Sequence, residues 1–378
     1  MKFMHISDLH LGKRVNEFSM LEDQKDILRK ILKIADEEKS QALLIAGDVY
    51  DKSIPTVEAI QLFDDFLCEL SKRKVQTFII SGNHDSAERM AFGGRLMKES
   101  GVYVAPVYAG KTQAVVLEDK WGPINIYLLP FVKPANVKRF FEDEQIENYT
   151  DAIRVAVEQM KLNTDERNVL VTHQFVTGAK RSESEDISVG GTDNVDASVF
   201  DAFDYVALGH IHGPQKIGRE TVRYCGTPLK YSFSEIHHKK SVTIVEMKEK
   251  GNVEISTKEL APLRDWCEMK GTYMELTEKA YYENLDQDSY MHITLTDEED
   301  IPEAVRKLQV IYPNLMKLDY DNQRTRGKAA FLEAAEAEEK TPFDIFEELY
   351  EKQNNQEMNE EQKKLIHDLV EKIWEGGH

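Results

Sequence analysis

The segment Phe3-Met4-His5-Ile6-Ser7-Asp8-Leu9-His10, residues 3–10, decides the fold, because a short apolar run ends directly in an aspartate and a histidine. The apolar run over residues 2–6 is typical of a buried strand. The spacing of two between Asp8 and His10 lets both side chains face one side of the following loop. The segment therefore predicts a core strand whose carboxyl end presents side chains that can bind a metal ion.

The same arrangement recurs four times over about the first 260 residues, a spacing typical of an α/β fold. Strands are predicted at 2–6, 42–46, 75–80, 124–129, 168–172, 204–208 and 241–246. Amphipathic helices are predicted after a capping box formed by Ser19 and Glu22, and from Thr56. In such folds the loops beyond the carboxyl ends of strands build the active site. The polar clusters that follow the strands are Gly47-Asp48-Val49-Tyr50-Asp51, Gly82-Asn83-His84-Asp85, Thr172-His173 and Gly209-His210-Ile211-His212.

The residue types at these strand ends are those of a site for two metal ions. Five of the eleven histidines fall at these strand ends, His10 in the opening segment and four in the later clusters. The two oxygens of Asp48 can bridge two cations, and mixed imidazole and carboxylate ligands suit manganese, iron or zinc better than calcium. Taken alone, each cluster could be a loop opening, a turn or a satisfied structural histidine. Their conjunction in one order predicts a two-metal site that hydrolyses a phosphodiester.

The charge of the chain argues against broad attraction to polyphosphate. The formal net charge of the 378 residues is −20, whereas DNA binding uses clustered lysines and arginines. The acid is concentrated in residues 331–378, which carry 14 Asp and Glu against 5 Lys, and two bound cations would make the cleft locally positive. Candidates for contact with a phosphate backbone are Lys13, Arg14, Arg89, Arg95, Lys180, Arg181, Lys239 and Lys240.

The sequence indicates a cytoplasmic protein. No window approaches the roughly 18 unbroken apolar residues of a membrane-spanning helix. The N-terminus runs directly into the first strand, without the basic and apolar regions of a signal peptide. The three cysteines, Cys68, Cys225 and Cys267, are odd in number and widely spaced, which fits reduced thiols.

The pattern changes after the α/β region, which we assign to residues 1–262. Residues 266–325 predict a small α+β unit with strands at Gly271–Leu276, Ser289–Thr296 and Met316–Tyr320 and a helix at Pro302–Ile311. Residues 326–340 are polar and predict a linker. Residues 341–378 predict two short helices whose apolar stripes are Phe343, Phe346, Leu349 and Tyr350, then Leu365, Ile366, Leu369, Val370, Ile373 and Trp374.

The order of the motifs D-x-H, G-D-x-x-D, G-N-H-D, T-H and G-H-x-H resembles the calcineurin-like metallophosphoesterase superfamily. Within it, the stretch 226–235 (Gly-Thr-Pro-Leu-Lys-Tyr-Ser-Phe-Ser-Glu) and the loop Gly191-Thr192-Asp193-Asn194 resemble the SbcD family of bacterial nuclease subunits. The resemblance runs over the whole chain. It implies a β-sandwich flanked by helices, a small α+β capping domain that embraces DNA, and a C-terminal two-helix segment that binds a partner.

The resemblance also implies roles for single residues. One cation would be bound by Asp8, His10, Asp48 and His212, and the second by Asp48, Asn83, His173 and His210. His84 would assist catalysis without binding a metal. Asp51 would also be catalytic, although more distant relatives have a histidine near this position.

The activity and partners implied by the resemblance are those of a DNA-processing complex. They comprise ATP-dependent 3′-to-5′ exonuclease activity on duplex DNA and structure-selective endonuclease activity on hairpins and single strands, in DNA replication, recombination and repair. The cofactors would be two divalent ions, most readily Mn²⁺. The partners would be DNA, the coiled-coil base of the SbcC ATPase, bound through residues 341–378, and a second copy of the chain within a heterotetramer.

Two other functions are compatible with the same motifs. One is a phosphatase or cyclic-nucleotide phosphodiesterase of the same superfamily, against which the extra domain at 266–325 argues, since a small substrate needs no appended unit. The other is a binding scaffold that keeps its metals for structure, against which the presence of His84 beside Asn83 argues. Activity on duplex DNA compared with p-nitrophenyl phosphate separates these functions.

Overall fold

The computed structural model describes residues 1–185, 194–326, 346, 347, 350, 358, 359, 362–366 and 369. The chain divides into two compact units, the first being Met1–Cys267 with Asp288–Met291 and the second Glu268–Gln287 with His292–His378. The loop residues 191–193, the linker apart from Arg326, and most of the segment 341–378 lie outside the described residues. The assignment of those segments therefore stays a prediction.

The first unit is built on two six-stranded sheets. Each predicted strand is present within one or two residues of its expected bounds. The strands are Lys2–Ile6 (β1), Arg14–Val15 (β2), Phe18–Ser19 (β3), Ala42–Ala46 (β4), Gln76–Ile80 (β5), Val102–Val104 (β6), Ala114–Asp119 (β7), Gly122–Leu129 (β8), Arg167–His173 (β9), Phe175–Val176 (β10), Asn194–Val195 (β11), Tyr205–Gly209 (β12), Gln215–Ile217 (β13), Arg219–Tyr224 (β14), Ser241–Met247 (β15) and Val253–Glu259 (β16).

Both sheets have a parallel portion; the first sheet is antiparallel at its β15-β16 edge, and the second is antiparallel at both edges. The first has the order β16-β15-β1-β4-β5-β6, in which β1, β4, β5 and β6 run parallel. The second has the order β13-β14-β12-β9-β8-β7, in which β14, β12, β9 and β8 run parallel. The carboxyl ends of the parallel strands lie at one edge of each sheet, which is where such sheets place their sites.

The two sheets bury one apolar core between them. In β4 the alternate residues Ala42, Leu44 and Ala46 belong to this core, together with Val169 and Val171 of β9. The intervening residues of these strands are buried on the other face; Leu170 of β9, for example, packs in a second cluster. Because both faces are covered, the strands read as continuous apolar runs.

Helices cover the sheets of the first unit. They are Leu21–Glu38 (α1), Val57–Lys72 (α2), Ala87–Met90 (α3), Gly94–Met97 (α4), Pro134–Lys138 (α5) and Tyr149–Glu158 (α6), with 3₁₀ turns at Lys98–Ser100, Ala197–Phe200 and Phe233–Glu235. The predicted start of α2 is confirmed, since the Thr56 side chain accepts a hydrogen bond from the Ala59 N–H at 3.3 Å. The predicted capping box of α1 is wrong. Ser19 pairs with Arg14 in the β2-β3 ribbon, and the Glu22 carboxylate accepts from Arg264 at 2.6 Å instead.

The second unit holds the greater part of a three-stranded sheet, formed in order by Trp266–Gly271 (β17), Tyr290–Leu295 (β18) and Leu315–Tyr320 (β19). Its helices are Tyr273–Thr277 (α7), Lys279–Tyr282 (α8) and Ala304–Gln309 (α9). The strand predicted over 271–276 is wrong. Thr272 and Glu275 form a capping box that opens α7, in which the Glu275 carboxylate accepts from the Thr272 N–H at 2.8 Å.

Among the described residues, no helix is both long and apolar enough to cross a membrane.

A buried ion pair joins β7 to β9 and yields a stability prediction. The Arg167 side chain is 2% exposed, and its guanidinium donates to the Asp119 carboxylate at 2.6 Å. Partial burial alone would raise the pKa of Asp119, but hydrogen bonds from Arg167 and from the N-terminal ammonium of Met1 outweigh it and hold that pKa below its usual range. Removing one partner of such a pair leaves the other charge buried without compensation.

We expect Asp119→Asn to lower the free energy of unfolding by about 3 kcal/mol at neutral pH, as measured by urea denaturation. The ionised carboxylate contributes fully above the unfolded-state pKa of about 4, and its contribution is lost as the pH falls through the lower folded-state pKa. The difference between the two proteins should therefore shrink below about pH 4. Glu118→Gln, an exposed neighbour on the same strand, is the control and should match the wild type. A deficit that is independent of pH would contradict the ion pair.

Candidate metal centre

The predicted site residues lie where five parallel strands end. Asp8 and His10 follow β1, Asp48 follows β4, and Asn83 follows β5, three adjacent strands of the first sheet. His173 ends β9, and His210 and His212 follow β12, its neighbour in the second sheet. The His173 Nδ1 lies 2.8 Å from the carbonyl oxygen of Ala46, the last residue of β4. This hydrogen bond joins the two sheets at the edge where the site forms.

Several of these residues have positive φ angles, which residues other than glycine rarely adopt. The φ angles are 53° at Asp8, 44° at His10, 49° at Asp48 and 101° at His210. Such angles cost of the order of 1 kcal/mol each and cluster at functional sites. They are held by hydrogen bonds between the loops: the Asp8 N–H donates to the Gly47 carbonyl and the His10 N–H to the Asp48 carbonyl, both at 3.0 Å.

At two positions of the motifs glycine is required, because neighbouring atoms lie too close to leave room for a Cβ. A Cβ on Gly82 would overlap the carboxylate of Asp48, and a Cβ on Gly209 would overlap the carbonyl of Ala46 and the ring of His173. Gly82 therefore lets the loops after β4 and β5 of the first sheet approach each other, and Gly209 lets the second sheet approach the first.

All seven predicted metal ligands converge on one buried volume. The Asp48 Oδ2 lies 3.2 Å from the His173 Nε2 and 3.9 Å from the His10 Nε2. The Asn83 Oδ1 lies 2.9 Å from the His173 Nε2 and 3.0 Å from the His210 Nδ1. The remaining two ligands belong to one cluster that could hold a metal ion, which consists of Asp8, His10 and His212.

The predicted catalytic residues lie beside this volume. The His84 Nε2 is 3.9 Å from the Asp48 Oδ2, and the His84 Nδ1 is 3.2 Å from the Asp51 carbonyl oxygen. The Asp51 carboxylate lies 2.8 Å from the Lys13 Nζ and 3.9 Å from the His10 Nδ1. His84 also forms a possible metal-binding cluster with His10 and Asp48, so its geometry alone does not separate a catalytic role from a ligand role.

Burial dominates the electrostatics of the site. It raises the pKa of Asp8 to about 6, lowers the pKa of His210 to about 3, and lowers that of His10 well below its usual value. Burial would also lower the pKa of His173, but the carboxylate of Asp48 outweighs it and raises that pKa to about 9. In the absence of a cation, Asp48 and His173 therefore form an ion pair.

The donor set fits divalent cations. The His10 Nε2 and His212 Nε2 face each other at 3.2 Å, and the buried His10 Nδ1 has no hydrogen-bond partner within the described part of the chain. Facing imidazole nitrogens beside two carboxylates are poorly satisfied by hydrogen bonds alone. Imidazole, carboxylate and amide oxygen are ligands of divalent transition metals. The cluster therefore supports divalent metal binding.

Asp85 positions two of the loops, a role that the sequence did not assign. Its carboxylate accepts hydrogen bonds from the N–H groups of Val49 at 3.1 Å, Tyr50 at 2.9 Å and Gly82 at 3.0 Å. These bonds fix the loop after β4 against the loop after β5. In the sequence, a role for Asp85 at the site was indicated by its position in the G-N-H-D motif.

A second network that the sequence missed orients His212. The Ser184 hydroxyl lies 2.6 Å from the His212 Nδ1 and donates to the Glu235 carboxylate. Glu235 is fully buried and forms an ion pair with Lys240. The prediction that Lys240 contacts DNA is therefore wrong, since its side chain is 3% exposed and its charge balances Glu235. Glu235 ends the stretch 226–235 that resembles the SbcD family, and this resemblance was the sequence feature that could have indicated its role.

Comparisons with known proteins agree with this architecture. A family model described as calcineurin-like phosphoesterase matches residues 1–214, and one described as type 5 capsule protein repressor C-terminal domain matches residues 259–354. The chain is 32% identical over 377 residues to the SbcD component of the nuclease SbcCD from Staphylococcus epidermidis, and the match covers 98% of each protein.

Solved structures are more distant. A dimetal phosphatase from Danio rerio is 13% identical with a TM-score of 0.40, covering 69% of this chain and 99% of that one. A Thermus thermophilus protein is 12% identical with a TM-score of 0.36, covering 68% of this chain and 98% of that one. TM-scores below 0.5 do not establish a shared fold.

The central place of Asp48 yields a metal-binding prediction. We expect Asp48→Ala to weaken the binding of both ions together, because one carboxylate faces ligands of both predicted sites and its loss leaves two cations less neutralised. Isothermal calorimetry with Mn²⁺ should show both binding events weakened by tenfold or more, whereas Asp65→Ala, an exposed carboxylate on α2, should leave them unchanged. Two ions bound to Asp48→Ala with the affinity of the wild type would show that Asp48 is not a bridge.

Proposed function

Because the chain belongs to the calcineurin-like phosphoesterases and, within them, to the SbcD family of nuclease subunits, we propose that it hydrolyses DNA phosphodiesters with two manganese ions. The proposed activities are ATP-dependent 3′-to-5′ exonuclease action on duplex ends and structure-selective endonuclease action on hairpins and single strands, in replication, recombination and repair. The observation that carries the proposal is the convergence of seven nitrogen and oxygen ligands around Asp48.

The proposed ligand sets divide this cluster in two. Asp8, His10, Asp48 and His212 hold one cation, and Asp48, Asn83, His173 and His210 hold the other. The short distances from the Asn83 Oδ1 to His173 and His210 support the second set. The mixture of imidazole, carboxylate and amide oxygen favours manganese over calcium.

The residues of the chain prepare the site for an in-line displacement. When bound, the two cations supply Lewis-acid stabilisation of the phosphate and lower the pKa of an attacking water. Because the Asp51 carbonyl can only accept a hydrogen bond, its 3.2 Å contact with the His84 Nδ1 places the proton on that nitrogen. The His84 Nε2 then faces the metal side, where the protonated ring can stabilise phosphate charge or protonate the departing oxygen.

Asp51 acts in this proposal through its neighbours. Its carbonyl orients His84, and its carboxylate, held by Lys13 at 2.8 Å, lies beside His10. The first contact positions the proposed acid, and the second lies against a proposed metal ligand.

We expect His84→Ala to reduce turnover on DNA by roughly two or more decades, the usual effect of losing one acid or base, while the manganese content stays near that of the wild type. Turnover on duplex DNA and on p-nitrophenyl phosphate, measured with metal analysis of the same samples, tests both statements. The exposed His237 provides the control His237→Ala, which should keep full activity. Loss of a cation from His84→Ala would make His84 a ligand, and unchanged turnover would remove its catalytic role.

The proposed assembly is a homodimer bound to two SbcC chains. An apolar surface of the first unit supports a second copy as a partner: Ile54, Val57, Phe92 and Leu96 are 69%, 65%, 87% and 80% exposed. Ile54 and Phe92 line the same cavity of about 560 Å³. Exposed apolar side chains of this kind are common at protein interfaces, and a twofold dimer uses the same surface of each copy.

We propose that residues 341–378 bind the base of the SbcC coiled coil, because helices as short as the two predicted from the sequence are marginal in water unless their apolar face is covered. Truncation after Gly327 should abolish association with SbcC and ATP-stimulated degradation of duplex DNA, while manganese-dependent cleavage of short single strands continues. Co-purification and nuclease assays measure these outcomes. A truncated protein that binds SbcC at full stoichiometry would disprove the assignment, and one without any cleavage would place the segment in the catalytic fold.

A further inference from the structure

A short turn at residues 182–185 holds both the backbone and the ring of His212. The Glu185 carboxylate accepts a hydrogen bond from the His212 N–H, and the Ser184 hydroxyl lies 2.6 Å from the His212 Nδ1. The turn is closed by the Ser182 N–H, which donates to the Glu185 carboxylate at 2.7 Å. These contacts leave the other ring nitrogen of His212, Nε2, for the metal centre.

Glu235, which accepts from Ser184, is an ionised group that can only accept hydrogen bonds. Its side chain is fully buried and forms an ion pair with Lys240. The Tyr231 N–H at 3.3 Å and the Thr227 hydroxyl at 3.4 Å also donate to it. A carboxylate that faces several donors and a buried cation is held in its charged form and has no proton to give.

The charge of Glu235 fixes the direction of each hydrogen bond that leads to His212. The Ser184 hydroxyl has one proton, which it donates to Glu235. The Ser184 oxygen must then accept from the His212 Nδ1, so the ring proton lies on that nitrogen. The Ser182 hydroxyl, 3.0 Å from that of Ser184, can donate to Ser184 or to Glu185 and needs no proton from Ser184.

The nitrogen left without a proton is the one that faces the metal centre. The His212 Nε2 lies 3.2 Å from the His10 Nε2, and both residues belong with Asp8 to a cluster that could hold a metal ion. An imidazole binds a metal through its unprotonated nitrogen, and the partner of the other nitrogen decides which one that is. In the second proposed ligand set, His173 is oriented by a different group, the Ala46 carbonyl at 2.8 Å.

We propose that Ser184 and Glu235 are positioning residues for the first proposed cation, forming a relay that fixes the tautomer of His212 and the direction of its Nε2. They act through His212 and not on the substrate. The inference rests on the proposed two-metal function and assigns the support of one of its ions. Loss of the relay should therefore weaken one ion, whereas loss of Asp48 should weaken both.

The first test measures manganese binding by calorimetry. His10→Ala and His210→Ala assign the two binding events, because each variant removes a ligand of only one proposed set. Ser184→Ala should weaken the first event by about ten- to a hundredfold, the usual effect of losing a group that supports a metal ligand, and should leave the second event close to that of the wild type. Ser184→Thr keeps the hydroxyl and should restore the first event.

The second test reads the tautomer of His212 by nitrogen NMR of the metal-free protein with isotope-labelled histidine, at about pH 8.5, where an ordinary imidazole is neutral. The wild type should carry the proton on Nδ1, and Ser184→Ala should show a mixture of the two tautomers. Glu235→Gln should also show a mixture, because the amide can donate to Ser184 and reverse the hydrogen bonds. A role in packing alone would not move this signal.

Ser234→Ala is the matched control. The exposed Ser234 hydroxyl accepts from the Glu183 N–H at 3.2 Å, so its loss removes a hydrogen bond between the same two segments without touching His212. This variant should keep both binding events and the wild-type tautomer. Thermal melting reports folding, and if Glu235→Gln unfolds because Lys240 loses its partner, the half-buried Ser184 decides the question through Ser184→Ala.

The outcomes separate the relay from the function on which it rests. Wild-type affinity for both ions in Ser184→Ala, equal weakening of both events, or an unchanged His212 tautomer would overturn the relay and leave the two-metal function standing. A wild-type protein that binds fewer than two manganese ions would overturn both. Selective weakening of the first event together with a mixed tautomer supports the relay.

Discussion

Asp48 lies at the meeting point of the two sheets, and its carboxylate is within 4 Å of ring nitrogens from His10, His84 and His173. A carboxylate that is 2% exposed is costly to bury unless opposite charge faces it. Histidines arriving from other strands supply that charge when protonated, and divalent cations supply it more fully. The fold must therefore bring several strand ends together around this one group. The close approach at Gly82 and Gly209 and the positive φ at Asp48 follow from the same requirement.

Along the central strands, the buried residues with ordinary backbone angles are followed by loops with unfavourable backbone angles. The middle of the parallel strands is buried on both faces and carries ordinary extended backbone. The unfavourable φ angles lie two to four residues after the ends of β1 and β4, at Asp8, His10 and Asp48. Inter-loop hydrogen bonds, including the three accepted by Asp85, hold these loops in place. The core thus offsets the cost of a strained site, which is the usual arrangement where geometry must be set before the substrate arrives.

The sequence predicted the strands and the convergence of their polar ends well, because apolar runs and motif order are local signals. His10 and His212 are 202 positions apart, yet parallel sheets bring such strand ends together. The prediction from the sequence failed where a side chain had two possible partners. Ser19 joined a β-ribbon instead of capping α1, and Lys240 paired with Glu235 instead of facing solvent. No local pattern could reveal that the Tyr108 hydroxyl has no hydrogen-bond partner among the described residues, since this is a property of the packed structure.

Because Lys240 is buried against Glu235, it adds no exposed positive charge that could attract a polyanion. With a net charge of −20, the protein has no overall attraction to DNA. The positive charge that faces a substrate must then be local, supplied by bound cations and by a few lysines such as Lys133 at the rim of the site. Affinity built this way is concentrated at the reacting phosphate and its neighbours, and weak elsewhere along the strand. For the proposed nuclease, this distribution favours a partner that holds the rest of the DNA, and the relative at 32% identity is named as one subunit of SbcCD.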